Sequence, residues 1–122
     1  MLLTLPPQVR VYAAVGATDM RKGFDGLSAL ACQVVGGDPV SGHLFLFCNR
    51  RRTQIRILFW DGTGFCIYAK RLARGTFELP SDGAHEGAIE IDAETLSLIL
   101  AGIELGSARR RRRFRLEKPR AA

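Results

Sequence analysis

The residues best suited to chemistry in this sequence are arginines and lysines that cluster in two blocks. Residues 50–74 hold seven basic residues against one acidic residue, Asp61, and residues 109–122 hold eight against Glu117. The stretch 75–108 lies between them and has seven carboxylates and no basic residue. Because guanidinium groups bind phosphate bidentately and attract it over long distances, the two blocks predict a polyanionic partner, and nucleic acid is the obvious one.

The predicted nucleic-acid-binding residues are the basic side chains of both blocks and one further pair near the N-terminus. For any single run, a solvated surface without a partner is an equal alternative. The C-terminal run has the affinity for phosphate in general but no base-reading geometry. The candidates are Arg50, Arg51, Arg52, Arg56, Lys70, Arg71, Arg74, Arg21, Lys22, Arg109, Arg110, Arg111, Arg112, Arg113 and Arg115.

Catalysis by paired carboxylates and a metal ion is the chemistry that a nuclease would need. Asp19, Asp25, Asp61 and Glu78 are the candidates, but each has a structural explanation as a helix cap, a first-turn charge, a turn residue or a surface acid. No HExxH, GxSxG, phosphate-loop or nucleotide-binding glycine motif occurs. The sequence therefore predicts no catalytic residue, no metal and no cofactor.

Three cysteines, Cys32, Cys48 and Cys66, match neither a disulfide framework nor a CxxC metal pattern. Small intracellular proteins usually bury free cysteine as a hydrophobic residue, so we expect three buried free thiols. A catalytic cysteine with His43 or His85 as its base is the alternative that the spacing does not favour.

The aromatic residues of the same region offer a second way to hold nucleic acid, because exposed rings stack on bases. Alternation at two-residue spacing favours a place in the core for most of them, and Trp60 and Tyr68 are the exceptions to examine. The set comprises Phe45, Phe47, Phe59, Trp60, Phe65 and Tyr68.

The elements that position the first basic block are three predicted strands, 43–48, 54–60 and 65–70. Asp61–Gly64 (DGTG) is a hairpin signal, and residues 49–53 form a polar turn. In an antiparallel meander of these strands, the arginines at 50–52 share one end of the sheet with Lys70, Arg71 and Arg74, and Asp61 lies at the other end. Arg56 extends this patch down one face.

The flanking segments predict two helices and two further strands. Residues 9–15 form a strand, and a helix follows, with Thr18 or Asp19 as its cap, a stop at Gly36-Gly37 and an apolar face of Phe24, Leu27, Ala31 and Val34. Residues 87–92 form the last strand, and Asp92 caps a second helix that ends at Gly102 or Gly106. Residues 75–87 form a loop, and a short strand at 76–79 is an option within it.

A chain of 122 residues with 47% hydrophobic and 25% charged residues has the size and composition of one globular domain. The fold class is α+β: a small antiparallel β-meander sheet with two helices packed on it. Residues 1–106 form this domain, and residues 107–122 form a basic, disordered tail. No apolar run is long enough to span a membrane and residues 1–10 lack the features of a signal peptide, so we expect a cytoplasmic protein.

Several motifs, taken in order, resemble the TnpB accessory proteins of insertion sequence family 66, which are unrelated to the RNA-guided nucleases of that name. They are Thr18–Leu27 (TDMRKGFDGL), Gly42–Phe47 (GHLFLF), Asn49–Thr53 (NRRRT), Leu58–Phe65 (LFWDGTGF), Tyr68–Leu72 (YAKRL) and Gly75–Phe77 (GTF). The resemblance covers residues 8–105. Its motif residues include Asp19, Met20, Arg21, Lys22, Gly23, Trp60, Asp61, Gly62 and Gly64.

The resemblance implies an accessory protein, encoded beside a larger transposase, that assists transposition without an established enzymatic activity. Glu78 stands where the family often has an aromatic residue, and the run 109–115 lies outside the family pattern. We expect non-catalytic binding of nucleic acid, namely element DNA, through a basic sheet rim. The alternative is a module that docks on the transposase through Thr18–Gly23 (TDMRKG) and the acidic stretch, and a nuclease ranks third. The sequence leaves the oligomeric state open.

Overall fold

The computed structural model describes residues 5–80 and 87–103, which form a mixed five-stranded sheet with a helix on each face. The strand order is β4-β3-β2-β1-β5. The α+β class is therefore confirmed. The strands are β1 (Val11–Ala17), β2 (Leu44–Cys48), β3 (Gln54–Trp60), β4 (Phe65–Arg71) and β5 (Ala88–Ile91).

The predicted meander is confirmed, since β2, β3 and β4 pair in sequence and antiparallel. The sheet as a whole is mixed, because β1 runs parallel to β2. A parallel neighbour needs a crossover connection, and the helical segment between β1 and β2 provides it. On the other side of β1, β5 pairs antiparallel and completes the sheet.

Strand β2 is buried along its whole length, as its apolar sequence predicts. Phe45 and Phe47 point to one face and pack with Leu27 and Ala31. The alternate residues of β2 point to the other face and join a larger cluster that includes Leu44, Leu46, Cys48, Leu96, Ile99 and Leu100. We call these the first face and the second face of the sheet.

Helix α1 (Phe24–Leu30) covers the first face and continues as a π-helical turn, Ala31–Val35. Gly36 ends it with φ 73°, as predicted from the glycine pair. The predicted cap at Thr18 or Asp19 is wrong, because the helix begins five residues later, after Gly23, and no side chain caps it. Phe24 belongs to the predicted apolar face of this helix, yet it is 51% exposed.

Helix α2 (Ala93–Leu100) covers the second face. Its predicted cap is confirmed: the Asp92 carboxylate accepts a hydrogen bond of 2.7 Å from the backbone N–H of Thr95. Gly102 has φ 72° just beyond the helix, which confirms the first of the two predicted stops.

Other boundaries differ from the sequence prediction. The first strand is shifted by two residues, and residues 76–79 form no strand, although Phe77 is buried. Cys48 is buried, but Cys66 is only partly buried and Cys32 is exposed, so burial of all three thiols is wrong. The predicted tail, the domain boundary at 106 and His85 lie outside the described residues. Among the described residues, no helix is long and apolar enough to cross a membrane.

The opposite exposures of Leu27 and Phe24 on one helix predict opposite effects on stability. Leu27 is fully buried, so Leu27→Ala should lower the free energy of unfolding by about 2–5 kcal/mol through lost burial and the cavity left behind. Phe24→Ala should change it by only about 0.5 kcal/mol. Urea denaturation of both variants measures this, and equal losses would show that Phe24 packs into the core.

Candidate nucleic-acid interface

The ends of β1 and β2 bring two basic loops to one edge of the sheet. Ala17 pairs with Cys48, and the N–H of Thr18 donates to the Cys48 carbonyl at 2.8 Å. Residues 18–23, which follow β1, therefore lie beside the turn 49–53, which follows β2. Parallel strands put their carboxyl ends on the same side, so this proximity follows from the sheet topology.

Asn49 holds the arginine turn in shape. Its side-chain oxygen accepts from the backbone N–H groups of Thr53 at 2.9 Å and Gln54 at 3.0 Å, and its amide nitrogen donates to Thr53 Oγ1 at 3.0 Å. Arg52 closes the turn with φ 60°, a left-handed conformation that side-chain-bearing residues adopt only rarely. The turn is thus a fixed loop that presents Arg50 and Arg51 to solvent.

The exit of β4 runs beside this turn. Arg71 pairs with Gln54, and the N–H of Leu72 donates to the Thr53 carbonyl at 3.0 Å. The N–H of Phe77 donates to the Arg52 carbonyl at 2.6 Å. Both ends of the segment that carries Arg74 are therefore attached to the arginine turn. We call residues 18–23, 49–53 and 70–76 the basic rim.

Five cations of the basic rim are exposed and form no ion pair with any described residue; they are Lys22, Arg50, Arg51, Arg71 and Arg74. The described carboxylates mostly lie elsewhere. Glu90 pairs with Arg10 near the start of β1, at 3.1 Å, and Asp61 lies in the hairpin at the opposite end of the sheet. Asp19 lies within the rim, and the exposed Asp25 and Glu78 each lie two residues beyond one of its segments.

Three other candidate cations make contacts inside the protein. Lys70 points to the second face, and its Nζ donates to the Leu100 carbonyl at 2.5 Å, where α2 ends. Arg52 is partly buried beside the Cys48 thiol, whose pKa is raised by burial against a smaller opposing effect of this guanidinium. Arg56 lies on the first face, and its Nη1 donates to the Lys22 carbonyl at 2.8 Å. These contacts position the rim and leave fewer free charges than the sequence count suggests.

The loop 18–23 contains the second ion pair among the described residues. Asp19 accepts from the backbone N–H of Arg21 at 2.9 Å, and its oxygens accept from the Arg21 guanidinium, the shortest contact being 2.7 Å. The hydrogen bonds from Arg21 hold the pKa of Asp19 at about 2, and the same pair raises the pKa of Arg21. The Arg21 side chain is nevertheless 91% exposed.

The structure separates the aromatic residues from the basic rim. Phe45 and Phe47 are fully buried, which confirms their predicted place in the core. Trp60 contacts Phe65 edge to face, with ring centroids 5.1 Å apart, next to the hairpin at the opposite end of the sheet. Tyr68 packs against the cluster on the second face. The structure therefore places these rings in the core clusters and at the hairpin.

The candidate carboxylates are also separated. Asp19 binds Arg21, and Asp61 accepts from Thr63 and Gly64 within its own turn. Asp25 lies in the first turn of α1. Within residues 5–80 and 87–103, no group of three or more histidine, cysteine or acidic side chains is placed to hold a metal ion.

Two features of the site escaped the sequence prediction. The role of Asn49 was missed, although an asparagine at the start of a polar turn is a known turn signal. The exposure of Phe24 contradicts its helical spacing, and only the late start of α1 after Gly23 explains it.

Comparison with known proteins places this sequence in a family. Residues 9–110 match the family described as IS66 Orf2-like protein. The chain belongs to the IS66 Orf2-like family. It is 43% identical over 96 residues to the Sinorhizobium fredii protein y4hO, with 79% of this chain and 82% of y4hO aligned. It is 32% identical over 103 residues to y4jC of the same organism, with 84% and 86% aligned. Both are described as uncharacterized proteins, and no solved structure matches.

Family membership identifies this IS66 Orf2-like protein as an insertion-sequence accessory protein and confirms the resemblance drawn from the motifs. The matched span includes the whole basic rim.

The hydrogen bonds of Asn49 predict that the arginine turn depends on this side chain. Asn49→Ala leaves two backbone N–H groups without their acceptor, so the free energy of unfolding should fall by about 1–3 kcal/mol. Arg50→Ala in the same turn is the control and should change it by about 0.5 kcal/mol or less. Urea denaturation compares them, and an Asn49→Ala variant as stable as the wild type would contradict this account of the turn.

The hairpin at the opposite end predicts a pH dependence. Hydrogen bonds from Thr63 and Gly64 lower the pKa of Asp61 to about 2, below the value of about 3.9 in an unfolded chain. The stability that this group contributes is present above the unfolded value and is lost as the pH falls toward about 2. Asp61→Asn, which keeps an acceptor oxygen, should therefore show a smaller fall in its urea midpoint between about pH 5 and pH 2. An unchanged fall would contradict the assignment.

Proposed function

We propose that this protein assists transposition by binding nucleic acid, element DNA in particular, through the basic rim, without catalysing a reaction itself. The observation that carries the proposal is the convergence of three separate segments into one edge with five exposed cations. The family supports a role in insertion-sequence transposition, and the rim supports the mode of action.

The fixed shape of the arginine turn favours a role in binding phosphate over a role only in keeping the protein soluble. Arginines on a mobile loop lose conformational freedom when they bind phosphate, and a turn fixed by Asn49 has already lost much of it. Arg56 fixes the neighbouring loop in the same way through the Lys22 carbonyl. The exposed guanidinium groups are thus carried on backbones that need no rearrangement.

The second candidate is docking on the transposase through the acidic stretch and the loop 18–23. The described acidic residues give it less support, because Glu90 pairs with Arg10 and Asp92 caps α2. Such carboxylates already have partners within the fold. We therefore place nucleic-acid binding first. The arginines at 109–115, which lie outside the described residues, add non-specific phosphate affinity in this proposal.

Removal of one positive charge from the rim should weaken nucleic-acid binding more than removal of one elsewhere on the protein. Arg50→Gln should weaken binding to any DNA sequence and reduce the slope of log affinity against log salt by about 0.9 for one lost phosphate contact on duplex. Arg10→Gln is the matched control, since it removes one charge near the start of β1, at the end of the sheet away from the rim. Fluorescence anisotropy over a salt series measures both.

Equal effects of Arg50→Gln and Arg10→Gln would show that only net charge matters and would overturn the role of the rim. Affinity that does not depend on salt, or no binding to nucleic acid at all, would overturn the proposed function. Salt-independent capture of the transposase after nuclease treatment would support the second candidate instead.

A further inference from the structure

The loop 18–23 and the first residue of α1 differ from the rest of the basic rim. Elsewhere on the rim the exposed long side chains are all charged, and they suit phosphate. Here an arginine with a fixed orientation, Arg21, and an exposed aromatic ring, Phe24, lie three residues apart in the chain.

The Arg21 guanidinium is held along one side only. Its Nε donates to both Asp19 oxygens, at 3.1 and 3.0 Å, and its Nη2 donates to Oδ2 at 2.7 Å. A guanidinium has five N–H donors in a planar fork, so both Nη1 donors and one Nη2 donor remain. One Nη1 donor and the remaining Nη2 donor lie side by side at the end of the group, and the side chain is 91% exposed. Asp19 thus orients a two-donor edge toward solvent.

Such an edge matches two acceptors side by side, which nucleic acid offers in two places. One is a pair of phosphate oxygens, and the other is the O6 and N7 edge of guanine. The shared chemistry is a bidentate acceptor. Asp19 is a positioning residue here, because it acts through Arg21.

Phe24 adds an aromatic surface, which has no use in binding phosphate but can contact a base. Its ring is 51% exposed although its helical spacing would allow burial, and the chain just before it is held by the bond from Arg56 to the Lys22 carbonyl. A ring in this position can stack on a base that is not already stacked. In a continuous duplex the base must first be unstacked, at a cost of a few kcal/mol, whereas an unpaired strand offers it freely.

We propose that residues 19–23 of the basic rim and the adjoining Phe24 form a base-contacting element, in which Arg21 binds a bidentate acceptor and Phe24 stacks on an unpaired base, so that the protein prefers single-stranded nucleic acid to duplex. This inference rests on the proposed function and names its substrate class.

The stacking role is tested by the affinity of the full-length protein for one DNA sequence as a single strand and as a duplex at fixed salt. Phe24→Ala should weaken single-strand binding about 5- to 150-fold and leave duplex binding unchanged. Phe24→Leu keeps an apolar side chain and should lose as much, whereas Phe24→Trp should retain binding. Because Phe24 is exposed, these variants should fold, and circular dichroism checks this.

The positioning role of Asp19 predicts a change in affinity opposite to the one that net charge alone predicts. Asp19→Asn removes a negative charge, so simple electrostatics predicts tighter binding, but loss of the oriented edge should weaken it. Asp25→Asn makes the same change of charge in the first turn of α1 and is the matched control, which should not weaken binding. Arg21→Gln should lower affinity more for guanine-containing than for guanine-free strands if the acceptor is guanine, and equally for both if it is phosphate.

Several results would overturn the inference. They are equal affinity for single strand and duplex, a Phe24→Ala variant that binds single strands like the wild type, or an Asp19→Asn variant that binds more tightly. If Arg50→Gln still weakens binding in that case, the proposed function stands and only the base-contacting element fails. If no form of nucleic acid binds, both fail together.

Discussion

The parallel pairing of β1 with β2 is the constraint on which the rest of the structure depends. It places the carboxyl ends of two central strands side by side, so the loop 18–23 and the arginine turn meet at one edge although 25 residues lie between Gly23 and Asn49. The same pairing requires a crossover, which becomes α1 and covers the first face. A purely antiparallel sheet would have sent the two loops to opposite ends.

The division of the sheet into two apolar faces then determines which polar groups remain at the surface. Alternation along β3 and β4 sends Arg56 and Arg71 to the first face and Lys70 to the second. Arg56 donates to the Lys22 carbonyl and Lys70 donates to the carbonyl of Leu100 at the end of α2, whereas Arg71 is exposed to solvent. Cations that are neighbours in the sequence thus have different roles. The face of the sheet on which each one lies determines whether it holds another element in place or stays exposed to solvent.

The sequence predicted the meander, the hairpin, both helices and the meeting of Arg50–Arg52 with the exit of β4, because these depend on local periodicity and on the short connections between successive strands. It missed the parallel pairing of β1, which depends on contacts far apart in the chain. It also misplaced the start of α1 and so the exposure of Phe24, because two glycines near that start make the helical signal weak. The contacts of Lys70 and Arg56 involve backbone carbonyls of distant elements, and no pattern of side-chain types reveals such acceptors.

The hydrogen bond from Lys70 to Leu100 determines where the C-terminal segment leaves the fold. It fastens the end of α2 to the edge strand beside the rim, and the described chain stops at Ile103, six residues before Arg109. A connection of six residues can span at most about 20 Å. Under the proposed function, a second cationic segment on so short a connection would act at a high effective concentration on the polyanion that the rim binds. A modest affinity at each segment would then multiply into avidity without any new contact.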